Sequence, residues 1–238
     1  MRPYLRYILI LIAFVLLLAL AATLEYFGII WHNDLFAWPY QVKGLDVSHH
    51  QGDIDWHTVR TEHDFRFVFI KATEGQDFID KRFKENWREA KKQGLLVGAY
   101  HFFSMQSPGA RQADNFIRTV PKEPDSLPPV IDVEIHLNHD RRKVHRELLV
   151  LSQRLEQHYG QKPILYVTYD TYGQYIASSF PTHPIWIRDI KKFPTLDRDW
   201  LFWQYCNRGR IRGIDTYVDI NAYHGELDEF LQRFTTAK

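Results

Sequence analysis

The chain has 238 residues, of which 45% are hydrophobic, and a formal net charge of +1 at pH 7. Once an apolar N-terminal run is set aside, about 200 residues remain, enough for one domain with a barrel or a layered α/β core. The near-zero net charge gives no field that would select nucleic acid, and the single cysteine, Cys206, excludes an intrachain disulfide framework.

The N-terminus predicts a membrane segment. Arg2 and Arg6 precede residues 7–24, an uncharged apolar run of the length that spans a bilayer as a helix. The basic start at residues 1–6 predicts a cytoplasmic N-terminus, with the remainder in the periplasm or outside the cell. A cleaved signal peptide, which would give a secreted protein, is the alternative, but the length of the run favours an uncleaved anchor. Residues 25–41 are expected to form an aromatic-rich connector whose Trp and Tyr side chains reach the membrane interface.

From residue 42 to residue 238, strand-like and helical patterns alternate in what we expect to be one α/β domain. The predicted strands are 42–47, 67–72, 95–103, 129–134, 163–168, 184–188, 200–205 and 217–220, and the predicted helices are 55–62, 80–93, 107–120, 139–159, 171–178 and 228–234. Five strand–helix units followed by three strands with short connections predict an irregular TIM-like (β/α)₅β₃ barrel, preceded by one transmembrane helix. Barrel enzymes carry their sites at the carboxyl ends of the strands.

Acidic residues stand at the ends of several of these predicted strands. Asp46 closes the first strand, Asp132 and Glu134 close the fourth, and Asp219 lies in the last. Residues i and i+2 of a strand share a face, so Asp132 and Glu134 are expected to point the same way. Carboxyl groups held close together have separated pKa values, so one can stay protonated as an acid, which is the chemistry of glycosidic bond cleavage. For this acidic pair alone, an ordinary solvated strand end is the alternative.

Six short motifs carry a resemblance to a known family. They are GLDVSHHQGDIDW (44–56), FVFIKATEG (67–75), GAYHFF (98–103), DVE (132–134), WQY (203–205) and VDIN (218–221). In this order they resemble the strands of glycoside hydrolase family 25 lysozymes, over nearly the whole chain from residue 42 to residue 230. The resemblance implies an irregular (β/α)₅β₃ barrel. It also implies hydrolysis of the β-1,4 bond between N-acetylmuramic acid and N-acetylglucosamine in peptidoglycan.

The same resemblance implies roles for the acidic residues. Glu134 would be the general acid/base, and Asp132 would orient and stabilise the acetamido group of the substrate in a substrate-assisted attack. Asp46 and Asp219 would complete an acidic cluster around the scissile sugar. A direct nucleophile among these carboxylates stays open at this point, since both mechanisms use paired acids.

Four aromatic residues are candidate substrate contacts. We expect Tyr100 to face the barrel interior, Tyr166 to donate a hydrogen bond to the acetamido group, and Trp186 and Trp203 to stack on sugar rings. Packing in the core is the alternative for each ring. Arg188, in the predicted sixth strand, departs from the pattern of the family and leaves a β-glycosidase acting on chitin-like polymers open.

The remaining motifs predict no cofactor. Although the chain has 12 histidines, it contains neither an HExxH motif nor a paired-cysteine spacing, so no metal site is expected. The expected partners are the glycan strands of peptidoglycan, and the membrane through residues 7–24; no nucleic acid is expected, and the protein is expected to be a monomer. A glycan-binding barrel with little turnover is the alternative function, against which the full set of acids argues.

Overall fold

The structure, a computed structural model, describes residues 3–235. Its strands are β1 Lys43–Val47, β2 Phe65–Glu74, β3 Phe78–Ile79, β4 Leu96–Phe102, β5 Val130–Asp132, β6 Ile164–Val167, β7 Ile185–Arg188, β8 Phe202–Gly209 and β9 Val218–Tyr223. Its helices are α1 Pro3–Tyr26, α2 Asp34–Ala37, α3 Trp56–Glu62, α4 Phe83–Lys92, α5 Gly109–Thr119, α6 Arg141–Tyr159, α7 Tyr169–Thr171 and α8 Leu227–Phe234. A 3₁₀ turn follows β1 at His49–Gln51, and a π turn continues α7 at Tyr172–Ile176.

All strands except β3 close into a barrel. Parallel pairing runs from β1 through β2, β4, β5, β6 and β7 to β8, and β9 closes the ring antiparallel to both β8 and β1. The strand β3 is a short antiparallel addition to β2. The predicted (β/α)₅β₃ barrel is therefore confirmed, with its irregular half at β7, β8 and β9, where no full helix separates the strands.

Alternation along the strands divides the apolar side chains between two cores. In β2, Phe67 and Phe69 point into the barrel, whereas Val68 and Ile70 pack against the surrounding helices. Glycine on the neighbouring strand makes room for the large rings, because a Cβ at Gly44 would approach the Phe67 ring to 2.5 Å. Aromatic side chains fill the interior of the barrel beneath the carboxyl ends of the parallel strands. A substrate can therefore enter only at those carboxyl ends.

The helices around the barrel follow from local sequence signals. In α6, the buried positions 144, 148, 151, 152 and 155 repeat with helical spacing. Asp140 caps its N-terminus by accepting a 2.8 Å hydrogen bond from the backbone N–H of Lys143. Gly160, with φ of 74°, ends it in the left-handed conformation that glycine adopts at lowest cost.

The N-terminal region has two parts. Tyr4–Tyr26 is long and apolar enough to cross a membrane, and its most apolar window is not buried against the barrel. The segment that follows packs on the barrel: the indole N–H of Trp31 donates a 2.6 Å hydrogen bond to the carbonyl of Tyr205. The side-chain amide of Asn33 donates to the carbonyls of Asp189 and Tyr205 at 3.1 Å. The packed region thus begins before residue 42, the predicted start of the domain.

Candidate active site

A cleft of about 440 Å³ opens at the carboxyl ends of the parallel strands. The predicted acids line it together with three of the predicted aromatic contacts. The lining residues are Asp46, Ser48, His50, Lys71, Tyr100, Phe102, Val130, Asp132, Glu134, Tyr166, Trp186, Arg188, Gln204, Asn207 and Asp219.

Strand register places the acids at one level of this cleft. Asp46 of β1 and Asp219 of β9 are direct register partners, so their side chains lie on the same face of the sheet. Asp132 is the last residue of β5 and lies between Phe102 on β4 and its partner on β6. Glu134 was predicted within the same strand, but β5 ends at Asp132, and Glu134 lies beyond its end as the most exposed of the acids.

A chain of hydrogen bonds holds the carboxylate of Asp46. Its Oδ2 accepts from the amides of Gln204 at 3.0 Å and Asn221 at 2.8 Å. The indole N–H of Trp186 donates to Asn221 Oδ1 at 2.9 Å, and the hydroxyl of Tyr166 donates to Gln204 Oε1 at 2.9 Å. Because an indole N–H can only donate, Asn221 must turn its oxygen toward Trp186 and its NH₂ toward Asp46. Two amide donors therefore favour the ionised form of Asp46.

Burial raises the pKa of every acid in the cluster. It raises the pKa of Asp46 to about 6, with the two amide donors opposing the shift. It raises the pKa values of Asp132 and Asp219 well above their usual range, and the charges of the neighbouring acids add to both shifts. The pKa of Glu134 is also raised by burial, although the positive charge of Arg188 lowers it. Acids that share such a cleft do not all ionise together near neutral pH.

Two polar groups of the cleft lack partners within the part of the chain that the structure describes. Oδ1 of Asp132 is buried and accepts no hydrogen bond. No hydrogen bond or ion pair within 4.0 Å is found for the guanidinium of Arg188, although its charge acts on Asp46, Glu134 and Asp219. A buried acceptor and an unengaged cation at an open cleft are groups that a polar substrate would satisfy.

The aromatic predictions have different outcomes. Tyr100 is half-buried and lines the cleft. Trp186 lines the floor, but it is only 2% exposed and its ring packs on Phe69 and Tyr166, so little of its face is open to a sugar. The hydroxyl proton of Tyr166 is already donated to Gln204, so its predicted donation to an acetamido group does not fit this arrangement.

Trp203 was predicted as a sugar contact, and this is wrong. Gln204 faces the cleft, so its neighbour in β8 must face outward. The Trp203 ring is 0% exposed, it packs against Tyr40 and Trp200, and its indole N–H donates to the carbonyl of Asp189 at 2.8 Å. It stabilises the contact between the barrel and the N-terminal segment.

Among the polar residues that the sequence prediction did not assign to the site, Lys71, Arg188 and Gln204 line the cleft, and Asn221 binds Asp46. Alternation from Asp219 points to Asn221, alternation from Trp186 points to Arg188, and Gln204 lies within the WQY motif. Alternation from Phe67 and Phe69 points to Lys71. Lys71 pairs with Glu74 at 2.7 Å, and its ammonium lies 5.0 Å from the centroid of the Phe102 ring. Within residues 3–235, no group of three or more His, Cys, Asp or Glu side chains is arranged to hold a metal ion.

Comparisons with known proteins agree with this geometry. Residues 45–214 match the family described as glycosyl hydrolases family 25. The uncharacterized protein YegX of Escherichia coli K12 is 35% identical over 201 residues, which cover 82% of this chain and 74% of YegX. Lysozyme M1 of Streptomyces globisporus is 29% identical over 207 residues, covering 80% of this chain and 70% of the lysozyme.

A solved structure extends the likeness to three dimensions. The family 25 glycosyl hydrolase from Bacillus anthracis superposes with a TM-score of 0.78 at 46% identity, covering 82% of this chain and 94% of that protein. Its fold, the matched residues 45–214 and the acidic cleft all confirm the predicted resemblance. The chain therefore belongs to glycosyl hydrolases family 25.

Proposed function

We propose that the protein is a lysozyme, an N-acetylmuramidase that hydrolyses the β-1,4 bond between N-acetylmuramic acid and N-acetylglucosamine in peptidoglycan. The observation that carries the proposal is the cluster of Asp46, Asp132, Glu134 and Asp219 at the open end of a family 25 barrel. Relatives named as lysozymes, among them lysozyme M1 and the autolytic lysozyme of Clostridium acetobutylicum, support the choice of substrate.

Glu134 is suited to move the proton. It is the most exposed acid of the cluster, and its raised pKa keeps a fraction of it protonated at higher pH than an ordinary glutamic acid. We assign it as the general acid that protonates the glycosidic oxygen as the C1–O bond breaks. The resulting carboxylate then takes a proton from the water that attacks C1 in the second step.

Asp132 is suited to hold the acetamido group. Its buried Oδ1 accepts no hydrogen bond within the described residues, so it can accept one from the acetamido N–H of the sugar. This contact would turn the acetamido oxygen toward C1, where it forms the new bond as the leaving oxygen departs. The positive charge of the resulting oxazolinium ion is then stabilised by an ionised Asp46, which two amides hold in place.

Arg188 favours peptidoglycan over a neutral polymer. Its guanidinium lies at the cleft without an ion-pair partner within 4.0 Å among the described residues. The peptide stems of peptidoglycan carry carboxylates, which a guanidinium binds well, whereas chitin carries none. The cation would add affinity only for the charged glycan.

We also infer that α1 anchors the protein in a membrane and that the protein is a monomer. Residues 4–26 form an apolar helix near the N-terminus, and Arg2 and Arg6 place positive charge before or at its start. In this orientation the N-terminus is cytoplasmic and the barrel faces the periplasm or the cell exterior. This location gives the cleft access to the cell wall.

The function is tested by digesting purified peptidoglycan with the full-length protein in detergent and analysing the new reducing ends. We expect N-acetylmuramic acid ends from the wild type. Glu134→Gln should lower the rate by about 10²–10⁴-fold, because it removes the transferable proton. Glu156→Gln, an identical change on the outer helix α6, is the control and should keep the wild-type rate.

Other outcomes would point elsewhere. If the folded wild type bound glycan but released no ends, and Glu134→Gln bound equally well, the protein would be a binding barrel. If chitooligosaccharides were cleaved as fast as peptidoglycan, the muramidase assignment would be wrong. Full activity in Glu134→Gln would overturn the assignment of the general acid.

A further inference from the structure

Apolar side chains are exposed on the segment that joins α1 to the barrel. We call Phe27, Ile29, Ile30, Leu35, Phe36 and Trp38 the apolar collar. Leu35 is 80% exposed and Trp38 is 83% exposed, and the other members are between 44% and 61% exposed. Surface apolar residues are usually scattered singly, whereas here they follow one another along a short stretch next to the end of α1.

The collar is one side of a segment whose other side is fixed to the barrel. Asn33, the residue just before α2, and Ala37 at its end are both 0% exposed, and their spacing of four places them on one side of this helical turn. The side chains at 35, 36 and 38 project from the other faces of that turn. The hydrogen bonds of Trp31 and Asn33 to β8 and to the loop after β7 hold this orientation.

Two arginines fix the end of α1 to the barrel. Arg208 Nη1 donates to the carbonyl of Tyr26 at 2.8 Å, and Arg210 Nε donates to the carbonyl of Phe27 at 2.6 Å. These carbonyls would otherwise have no partner where the helix ends. Gly28 permits the close approach, because its φ is +64° and a Cβ there would lie 2.1 Å from the carbonyl oxygen of Arg208.

The same contact brings the active-site cleft close to the helix end. Asn207 lines the cleft, and the next residue, Arg208, binds the carbonyl of Tyr26. The rim of the cleft is therefore one residue away from the junction with α1. By contrast, α8 follows the carboxyl end of β9, which is the end of that strand away from the cleft.

Charges beside the collar suit an anionic surface. Lys191 and Lys192 are exposed in the loop after β7, and the ring of His32 contacts the carbonyl of Lys191 at 2.7 Å. Together with Arg208 and Arg210 they outnumber the nearby acids, which are Asp34 on α2, Asp189 beside the two lysines, and Glu25, itself paired with His32.

We propose that the apolar collar rests on the phospholipid surface that α1 enters, and so holds the rim of the cleft beside the lipid headgroups. A helix of 24 residues is about 36 Å long, which exceeds a hydrocarbon core of about 30 Å and leaves its end at the interface. Trp and Arg side chains are favoured at that depth. With the proposed muramidase function, on which this consequence rests, the enzyme acts on glycan that lies close to the membrane.

The experiment measures how close the collar lies to lipid in the full-length protein. Leu35→Cys carries an environment-sensitive fluorophore, while Cys206, only 2% exposed, stays unlabelled. The protein is reconstituted into vesicles of phosphatidylcholine and phosphatidylglycerol that contain a headgroup nitroxide lipid. Leu231→Cys, an exposed leucine on α8, is the matched control position. We expect quenching at residue 35 to be at least threefold stronger than at residue 231.

Equal quenching at the two positions would overturn the proposal. So would unquenched Leu35 labels that instead report contact between two copies through energy transfer, since the collar would then be covered by a second chain. Replacing Phe36 and Trp38 by aspartate should reduce the quenching at residue 35 to that at residue 231. Persistence of the strong quenching in this variant would also contradict the proposal.

A parallel assay separates this inference from the proposed function. The aspartate variant should hydrolyse short soluble peptidoglycan fragments at the wild-type rate, because the collar does not line the cleft. Quenching without any hydrolysis by the wild type would leave the lipid contact standing and remove the muramidase. Hydrolysis without quenching would support the muramidase and overturn the lipid contact.

Discussion

Arg188 is the residue whose charge acts on most of the acidic cluster. It lowers the pKa values of Asp46, Glu134 and Asp219, each of which burial raises. In the proposed mechanism, activity rises as Asp46 ionises and falls as Glu134 loses its proton. A cation near both groups lowers the pKa values of both, so it sets the position of the whole pH profile without changing its shape.

We predict that Arg188→Met shifts both limbs of the pH–rate profile upward by roughly 0.5–1 unit, since an opposite charge at this range acts through a partly solvated cleft. Removing the cation raises the pKa of Asp46, so the acidic limb moves up. It also raises the pKa of Glu134, so the basic limb moves up with it. The measurement is the rate of reducing-end release between pH 4 and pH 9 on fragments without peptide stems.

Arg188→Lys is the matched control, because it keeps the positive charge while losing the planar fork. Its limbs should stay within about 0.3 unit of the wild type. Limbs that move in opposite directions in Arg188→Met, or both move down, would contradict the electrostatic account.

The contrast between Trp203 and Gln204 shows what the sequence can predict at this scale. The WQY motif identified the strand, but not which of its faces turns inward. An indole and an amide are both common in barrels, so residue type alone did not show whether Trp203 or Gln204 points inward. Pairing with β9 decided it, because Gln204 lies opposite Asn221 and both amides reach Asp46. The acids were easier to predict, since a buried carboxylate needs a partner or a function.

Among the elements, β4 and α5 are joined by a buried histidine. His101 is 0% exposed. Its Nε2 lies 2.9 Å from Gln112 Oε1, and its Nδ1 lies 2.7 Å from the hydroxyl of Thr73. The NH₂ of Gln112 donates to the carbonyls of Ser104 and Ser107, so its oxygen must face the ring. The neutral ring therefore donates from Nε2 and accepts at Nδ1.

This arrangement predicts a pH-dependent contribution to stability. Burial lowers the pKa of His101 to about 4, below the 6.5 of the unfolded chain. The unfolded state therefore binds the proton more tightly. The part of the unfolding free energy that depends on a neutral His101 is fully present above pH 6.5. It is lost as the pH falls toward 4, in total about 3 kcal/mol.

Urea unfolding of the full chain in detergent between pH 7.5 and pH 4 measures this contribution. Compared with the wild type, His101→Gln should lose about 3 kcal/mol less of its unfolding free energy over that range. His57→Gln, at an exposed histidine, should follow the wild-type curve. Parallel curves for the wild type and His101→Gln would show that the ring is not kept neutral by burial.

Element types followed well from the sequence, and element ends less well. The buried run 67–72 and the helical repeat of α6 predicted their elements because their periodicity exceeds any competing signal. The strand β3 was missed, because two exposed residues give no pattern and pair only through β2. The early end of β5 was missed for a related reason, since pairing with β4 and β6 fixes it rather than local composition.

At the scale of the whole molecule, the boundary between anchor and enzyme does not fall where composition changes. Residues 25–41 have the mixed aromatic and polar character of a linker, and the sequence predicted a connector there. The structure instead packs Asn33 and Ala37 into the barrel wall, with Tyr40 against Trp200 and Trp203. Asn33 and Ala37 are buried while most of the segment is exposed, and only tertiary contacts distinguish the two kinds of position.

The domain should therefore depend on this segment for its stability. We predict that a variant beginning at residue 42 unfolds at a midpoint roughly 8–20 °C below one beginning at residue 30. Three hydrogen bonds of Trp31 and Asn33 are lost, worth about 1 kcal/mol each, and apolar contacts of Trp31 and Tyr40 add about 1–2 kcal/mol. For a domain of this size, 1 kcal/mol corresponds to about 2–4 °C.

Thermal unfolding followed by tryptophan fluorescence measures the difference. Leu35→Ala in the variant beginning at residue 30 is the control, because its side chain is 80% exposed and should shift the midpoint by less than about 2 °C. Equal midpoints for the two truncated variants would mean that the segment is a linker after all. A large difference would mean that the barrel reaches its full stability only with the segment that joins it to α1. The distance between cleft and membrane could then not be lengthened by inserting residues after Trp31 without weakening the enzyme itself.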